Sequence, residues 1–254
     1  MEIKKTDYVQ SLEKGLRVLM AFSKERKLMT LTDVAKVTEL SRAAARRFLL
    51  TYTHLGYVKT DGKLFELTPK VLNLGYNYLA SLDIKEIAKP FLINLSKTVN
   101  ETCSVVTIDG PDVVILVRQQ VSRIMTVSIG VGSRLPTHVT AVGRVFLALD
   151  EKIQEQVLND IEYKQYTINT ITNQDHLLEE LKRVKEQGWA LIDQELEAGV
   201  RAIACPIYSK DGRVKYAIHI SSNTNRVSKE EMIDIFLPHL LMTAKGISEA
   251  LEMQ

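Results

Sequence analysis

The chain has 254 residues, of which 45% are hydrophobic and 25% are charged. These values are typical of globular proteins and exclude a disordered, collagen-like or acidic-tail protein, while the length suits two domains of ordinary size. No apolar stretch approaches the roughly 20 residues that span a bilayer, and the first residues show no signal-peptide pattern. Because Cys103 and Cys205 match neither a metal spacing nor a disulfide framework, we expect a cytoplasmic protein.

The net charge of +2 conceals an uneven distribution. Residues 1–70 carry 14 Lys and Arg against 8 Asp and Glu, whereas the rest of the chain carries 19 against 23. A basic first part favours a polyanionic partner such as nucleic acid. The alternative is a chance excess of basic residues.

The first two predicted helices lie within residues 11–38. The first begins at Ser11 as N-cap, and its apolar stripe is formed by Leu12, Leu16, Leu19 and Met20. The second begins at Thr30, which forms a capping box with Asp33, and ends near Thr38.

A third helix is predicted from Ser41 as N-cap to Gly56 as left-handed stop. Its apolar face comprises Ala45, Phe48, Leu49, Tyr52 and Leu55. Two short helices separated by about three residues are typical of a helix-turn-helix.

The exposed face of this third helix carries Arg42, Arg46 and Arg47 beside the small residues Ala43 and Ala44, and no acidic residue occurs between positions 40 and 60. Small residues let a helix enter a major groove, where guanidinium groups bind phosphates or guanine. An ordinary solvated face usually mixes charges of both signs. The pattern therefore favours DNA binding.

A β-hairpin is predicted next, with strands at 57–60 and 63–67 and a type I′ turn at Asp61 and Gly62. Three helices followed by a hairpin make a winged helix-turn-helix, which we assign to residues 1–70. The residues expected to contact DNA are Thr30, Ser41, Arg42, Ala43, Ala44, Arg46, Arg47, Lys59 and Lys63.

Residues 71–82 are predicted to form a helical linker, which serves either for dimerisation or for packing on its own domain. Residues 83–254 are predicted to form an α+β domain. Its helices begin at Asp83, Thr140, Asn173 and Ser228, with Pro90 kinking or splitting the first. Its strands are expected at 103–108, 113–118, 125–129, 189–193, 201–208 and 214–221.

Two features of this domain suit a small anionic ligand. The helix after Thr140 starts with Ala141 and Gly143, so its free N–H groups suit a carboxylate, although close helix packing explains the same residues. A two-residue turn at Asp211 and Gly212 would pair Ala204 with His219 and Ala202 with Ser221. Small residues around two polar side chains leave space for a ligand.

Three runs resemble the IclR-type bacterial transcriptional regulators: residues 11–16 (SLEKGL), 41–49 (SRAAARRFL) and 55–58 (LGYV). The double arginine before Phe48 is most similar to the Pca/Pob branch, which answers to aromatic acids and their breakdown products. One departure is Glu39, where the family usually has glycine. A left-handed backbone there costs roughly 1 kcal/mol.

The resemblance implies a GAF-like effector domain, with an antiparallel sheet flanked by helices, and a pocket beside residues 134–144, which match R-x-P-x-H-x-T-A-x-G-[KR]. Asp193 is included because it ends a strand in the same region. The residues expected to contact the effector are Leu135, His138, Thr140, Ala141, Val142, Asp193, Ala202, His219 and Ser221.

No nucleophile elbow, P-loop or dinucleotide fingerprint is present, and a metal site of His138, His219 and Asp193 lacks ligand spacing. We therefore expect no enzyme, no cofactor and no bound metal. The predicted protein is a homodimeric or homotetrameric regulator that binds double-stranded operator DNA and a small aromatic or keto acid. The alternative is a DNA-binding or partner-docking protein whose second domain binds no metabolite.

Overall fold

A computed structural model describes residue 4 and residues 7–80, 83–121 and 129–253. The chain divides into two compact units, residues 1–81 and 82–254. Within the described ranges, no helix is both long and apolar enough to cross a membrane.

The first unit is a winged helix-turn-helix. Its helices are α1 (Gln10–Met20), α2 (Leu31–Thr38), α3 (Arg42–Leu55) and α4 (Leu72–Ala80). Its antiparallel strands are β1 (Met29–Thr30), β2 (Val58–Thr60) and β3 (Leu64–Leu67), arranged in the order β1-β3-β2. The helices and the sheet enclose one core, whose fully buried members include Val18, Val34, Ala45 and Leu49.

The ends of α2 and α3 confirm the predicted capping. The Thr30 hydroxyl accepts a hydrogen bond from Asp33 N at 3.2 Å, and the Asp33 carboxylate accepts one from Thr30 N at 2.9 Å. The Ser41 hydroxyl accepts one from Ala44 N, and Gly56 ends α3 with a φ of 79°. Glu39 has a φ of 56°, so a non-glycine residue occupies the left-handed position of the helix-turn-helix corner.

The prediction for α1 was wrong in its start and in most of its buried face, since Leu19 is the one member of the predicted stripe that packs against the core. The helix begins at Gln10 after Val9, with no side-chain cap. It packs through Gly15, where an added Cβ would lie 2.8 Å from Tyr52 Oη. This close approach turns the larger apolar residues Leu12, Leu16 and Met20 toward solvent. Leu55 of α3, also predicted to be buried, is exposed as well.

The wing turn also differs from the predicted type I′ geometry. Asp61 is not among the residues with positive φ, whereas Gly62 has a φ of 97°. The register of β2 with β3 places the turn one residue later, because Asp61 N donates to Leu64 O. The Asp61 carboxylate accepts from the backbone N–H of Lys63 and of Leu64 and thereby stabilises this turn.

The second unit is built on a six-stranded antiparallel sheet, in the order β6-β5-β4-β9-β8-β7. The strands are β4 (Thr102–Asp109), β5 (Asp112–Gln119), β6 (Arg134–Pro136), β7 (Ala190–Asp193), β8 (Val200–Tyr208) and β9 (Val214–Asn223). The helices are α5 (Ile84–Val99), α6 (Ala141–Leu149), α7 (Glu151–Val157), α8 (Gln174–Gln187), α9 (Lys229–Glu231) and α10 (Leu237–Glu252). A π-helical turn, Met232–Phe236, joins the last two.

Helices cover both faces of this sheet, as the α+β prediction expected. One face packs with α6 and α8 around a core that includes Ala202, Ala204 and Ala217. Alternate residues point to the opposite face, where Cys205 Sγ contacts Leu240 O of α10. The α6 side of the sheet carries the candidate ligand site described below.

Two local predictions for this unit need correction, and a third lies mostly outside the described residues. Asp83 makes no capping hydrogen bond, and Pro90 does not split α5, which continues through it. The strand expected at 125–129 falls outside the described residues except for Ile129, which is not in a strand. Residues 134–136 form β6 because they pair with β5.

Candidate functional site

The solvent face of α3 is cationic. Arg42, Arg46 and Arg47 are exposed together with Ala43, whereas Ala45 lies in the core. In the described part of the chain, none of the three guanidinium groups forms an ion pair. The face therefore offers unneutralised donors beside a small residue, as entry into a major groove requires.

The other residues predicted to contact DNA differ in whether their side chains already have partners within the protein. Lys59 Nζ pairs with Glu66 Oε1 of the neighbouring strand at 2.7 Å, whereas Lys63 is exposed in the wing turn. The hydroxyls of Thr30 and Ser41 serve as helix caps. Ala44 is half-buried between the core and the exposed face.

Sequence reasoning missed Lys14 as a basic residue near this face. A groove of about 480 Å³ separates α1 from α3, and Lys14 and Arg47 line it from opposite sides. No local pattern indicates this proximity, because it depends on how the two helices cross. Two cations flanking one groove suit a phosphate contact.

The second unit contains a cavity of about 90 Å³ between the sheet and the start of α6. Its walls are mostly apolar, with a small number of polar side chains. The lining residues are Ile115, Arg118, Ile129, Leu135, Thr140, Ala141, Ile192, Leu196, Glu197, Val200, Ala202, His219 and Ser221. This volume is smaller than that of an engineered cavity of about 150 Å³ that holds benzene, so a ligand with one ring requires the pocket walls to move apart.

The register of the hairpin β8–β9 is as predicted, although its turn is not. Ala204 pairs with His219 and Ala202 with Ser221. The loop covers residues 209–213 rather than two residues, and a shift in register beside Tyr208 compensates for the longer loop. The small and polar residues therefore share the pocket face, as the sequence indicated.

Three polar residues lie side by side on this face. Arg118 of β5 pairs with Ser104 of β4, and Ser104 pairs with His219 of β9. We call these three residues the Arg118 row. Three of their buried polar atoms, Arg118 Nε, Ser104 Oγ and His219 Nε2, have no hydrogen-bond partner within the described structure. Buried polar atoms are ordinarily bonded, so a ligand group would complete this row.

The electrostatics of the Arg118 row favour an anion. Burial, together with the charge of Arg118, lowers the pKa of His219 to about 4, so its imidazole is neutral at neutral pH. Burial also lowers the pKa of Arg118, but arginine remains charged in proteins. The row therefore presents one half-buried positive charge beside neutral hydrogen-bonding groups. A carboxylate is the natural partner of such a group.

The start of α6 forms another wall of the pocket. The Thr140 hydroxyl accepts a hydrogen bond from Gly143 N at 3.2 Å, and Ala141 faces the cavity. A Cβ at Gly143 would lie 2.2 Å from Thr137 O, so this glycine is explained by close backbone packing. The packing interpretation therefore accounts for Gly143, whereas the small residue Ala141 leaves space for a ligand.

Six of the nine predicted effector residues line the pocket: Leu135, Thr140, Ala141, Ala202, His219 and Ser221. The other three do not. His138 is buried with its ring centroid 5.6 Å from that of Tyr163, and Val142 is buried in the core. Asp193 pairs with Arg201 at 2.8 Å, because strand alternation places it on the face opposite Ile192.

The structure does not bring His138, His219 and Asp193 together. The Asp193–Arg201 ion pair lies on the other face of the sheet from His219, and His138 packs against Tyr163. Among the described residues, no cluster of three or more His, Cys, Asp or Glu could hold a metal ion.

A buried ion pair between α6 and the segment after β7 stabilises the wall of the pocket. Arg144 of α6 is 1% exposed, and its guanidinium binds the Glu195 carboxylate through two hydrogen bonds. Its Nε and Nη2 also donate to His138 O, at 3.2 and 3.1 Å. The backbone of the segment after β7 is thereby fixed next to Leu196 and Glu197, which line the cavity.

Arg118 is the most informative pocket residue that sequence reasoning missed. It follows the apolar run 113–117 within a predicted hairpin. A charged residue that continues a buried strand is a signal for a functional group, because it needs a partner. The apolar lining residues Ile115, Ile129 and Ile192 carry no such signal, since they resemble any other core residue.

Two family models match the chain. The IclR helix-turn-helix domain matches residues 11–62, and the bacterial transcriptional regulator IclR C-terminal domain matches residues 76–249. The chain belongs to the IclR family. It is a DNA-binding transcriptional regulator with an effector-binding domain, and not an enzyme.

Curated relatives match this regulator over nearly its whole length. The Pca regulon regulatory protein of Pseudomonas putida is 36% identical over 96% of this chain and 85% of its own. The p-hydroxybenzoate hydroxylase transcriptional activator of Acinetobacter baylyi is 37% identical over 97% of this chain and 93% of its own.

Solved structures show the same fold. A putative transcriptional regulator from Rhodococcus superposes with a TM-score of 0.83 at 44% identity, covering 96% of this chain and 98% of its own. An IclR homologue from Microbacterium hydrocarbonoxydans, crystallised with 4-hydroxybenzoate, gives a TM-score of 0.81 at 22% identity, covering 96% of this chain and all of its own.

Proposed function

We propose that this IclR-family regulator controls genes for the breakdown of aromatic acids and binds an aromatic carboxylic acid in the Arg118 pocket. The names of the Pseudomonas and Acinetobacter relatives support the biological context, since both refer to such pathways. The Microbacterium homologue, which shares the fold, was crystallised with an acid of this class.

The observation that carries the proposal is the Arg118 row. A carboxylate placed against Arg118 would receive a charge-assisted hydrogen bond from the guanidinium and neutral ones from Ser104 and His219. The aromatic ring would then lie among the isoleucine and leucine side chains of the cavity. Ligand binding is favoured because these contacts give hydrogen-bond partners to atoms that are otherwise buried without them.

On the DNA side, α3 would enter the major groove. Arg42, Arg46 and Arg47 would contact phosphates or guanines, with the wing residues Lys59 and Lys63 along the backbone. The helix starts capped by Thr30 and Ser41 would lie near the duplex, where helix N-termini favour phosphates. Since such a regulator acts on chromosomal DNA, the proposal includes a cytoplasmic location.

A homodimer is part of the proposal because the first unit leaves apolar side chains uncovered. Leu12, Leu16 and Met20 form an exposed stripe on α1, and Leu72 and Leu74 are exposed on α4. Apolar surface of this kind marks an interaction face. Two heads in a dimer would read a repeated operator, with half-sites one or more helical turns apart. Sedimentation of the full chain separates a dimer from a tetramer.

Calorimetric titration of the full-length protein with 4-hydroxybenzoate tests the effector assignment. We expect saturable binding by the wild type and a loss of at least about tenfold in affinity for Arg118→Met, because the carboxylate loses its charged partner. Arg134→Met is the matched control, since Arg134 is an exposed arginine of the same domain that pairs with Asp109 and Asp112.

The contrary result is equally clear. If neither 4-hydroxybenzoate nor other aromatic and keto acids bind the wild type, the second domain is not a receptor for such metabolites. The alternative function, a constitutive DNA-binding or partner-docking protein, would then replace this one.

A further inference from the structure

Glu197 is the acidic side chain that lines the pocket, and the effector assignment gives it no role. It is exposed at the cavity mouth, whereas its neighbour Leu196 is half-buried. Its carboxylate has no hydrogen bond or ion pair within the described structure. A carboxylate free of protein partners at the mouth of a ligand pocket is available to the ligand.

The loop that carries Glu197 is firmly held. Thr170 Oγ1 donates to Glu195 O at 2.7 Å, and Thr167 Oγ1 donates to Gln194 O at 2.6 Å. The Gln194 side chain in turn accepts a hydrogen bond from Gly199 N at 3.0 Å. Together with the buried Arg144–Glu195 pair, these contacts fix both ends of the loop, so Glu197 sits at a defined place on the rim.

Arg118 and Glu197 belong to opposite sides of the cavity. Arg118 lies on β5, whereas Glu197 lies in the loop that leads into β8, three strands away in the sheet order. At a strand spacing of about 4.8 Å, β5 and β8 are roughly 14 Å apart. The side chains of Arg118 and Glu197 both line the cavity. The pocket thus has a cation at one side, a carboxylate at the other and apolar walls between them.

We propose that Glu197 is a specificity-determining residue, which selects aromatic monocarboxylates that carry a hydroxyl group opposite the carboxylate and rejects aromatic dicarboxylates. The inference rests on the proposed function, because it assumes that the ligand carboxylate binds Arg118. With that end fixed, the far end of the ring points toward Glu197. A phenolic O–H there donates to the Glu197 carboxylate, whereas a second carboxylate is repelled.

The amino end of α6 is the competing partner for a second negative charge. Thr140 and Ala141 line the cavity, and a helix start favours anions. However, the Gly143 N–H is already bonded to the Thr140 hydroxyl, and the Arg144 N–H to Thr140 O. The N–H groups of Ala141 and Val142 remain, but a helix start carries only about half a positive charge, so the full negative charge of Glu197 outweighs it and disfavours a dicarboxylate.

Three ligands of similar shape test the proposal by calorimetric titration of the full-length protein: benzoate, 4-hydroxybenzoate and terephthalate. In the wild type, we expect 4-hydroxybenzoate to bind most tightly and terephthalate most weakly. Glu197→Ala should weaken 4-hydroxybenzoate on the order of tenfold and leave benzoate unchanged. Glu197→Gln should tighten terephthalate about threefold, because the repulsion is partly screened at the mouth. Glu186→Gln, in the exposed face of α8, controls for the loss of one negative charge.

Each contrary outcome has a distinct meaning. If Glu197→Ala weakens benzoate and 4-hydroxybenzoate equally, Glu197 does not read the hydroxyl and the inference is wrong, although the effector site stands. If terephthalate binds the wild type as tightly as 4-hydroxybenzoate, the second carboxylate is accepted and the inference is again wrong. If none of the three acids binds the wild type, this inference is wrong, and titration with the other aromatic and keto acids decides separately whether the proposed function stands.

Discussion

Replacing Arg144 with methionine would remove the positive partner of a buried carboxylate. Arg144 and Glu195 are 1% and 8% exposed, and Arg144 also supplies two hydrogen bonds to His138 O. Methionine fills much of the volume but leaves Glu195 charged and unpaired. Breaking a buried ion pair on one side costs about 3–5 kcal/mol, so we expect a loss of this size in the unfolding free energy of the second unit.

Urea unfolding followed by tryptophan fluorescence measures this loss, because the single tryptophan, Trp189, lies in the second unit. With a slope of about 2–3 kcal/mol per molar urea, the midpoint should fall by roughly 1–2 M. Arg134→Met is the matched control: its pairs with Asp109 and Asp112 are exposed, so we expect less than about 1 kcal/mol.

A second variant separates the loss of the pair from the loss of packing. In Arg144→Met/Glu195→Leu no charge is left unpaired, so most of the stability should return. The reasoning is refuted if Arg144→Met and Arg134→Met destabilise the protein equally.

Three further predictions concern other parts of the chain. Glu39→Gly should stabilise the first unit by up to about 1 kcal/mol in thermal unfolding, because Glu39 has a φ of 56°; a destabilised variant would contradict this. Arg46→Ala should reduce the log–log salt slope of DNA binding by about 2 per dimer, and an unchanged slope would remove Arg46 from the phosphate contacts. The free energy of unfolding should fall by up to about 3 kcal/mol as the pH is lowered from 6.5 to 4. In this range His219 binds a proton in the unfolded state but stays neutral in the folded state, where its pKa is about 4. Urea unfolding of His219→Asn should lack this component, and an identical pH dependence would show that His219 does not contribute.

The features that sequence reasoning predicted correctly depend on local or periodic rules. Thr30, Asp33 and Ser41 satisfy N–H groups at helix starts, and this requires only side chains within three residues. Likewise, the pairing of Ala204 with His219 follows from counting residues along β8 and β9. The predicted two-residue loop was too short, but the shift in register beside Tyr208 restored the predicted pairing.

The features that were missed depend on contacts between distant segments. The orientation of α1 is set by Gly15 packing against Tyr52, and no periodicity of α1 contains that information. Asp193 was assigned to the pocket by its position in the sequence, but alternation along β7 places it on the other face. The position of Arg118 beside Ser104 and His219 became visible only through the register of two strand pairs.

We expect an acid bound at the Arg118 row to change the affinity of this regulator for its operator. An operator duplex selected from a random pool by the full-length protein provides the reagent, and fluorescence anisotropy measures its affinity with and without 4-hydroxybenzoate. We expect the acid to change the wild-type affinity by about 5- to 150-fold and to leave Arg118→Met unaffected, although this variant binds DNA normally without the acid. An equal response of both proteins, or none in the wild type over a panel of aromatic acids, would contradict the account.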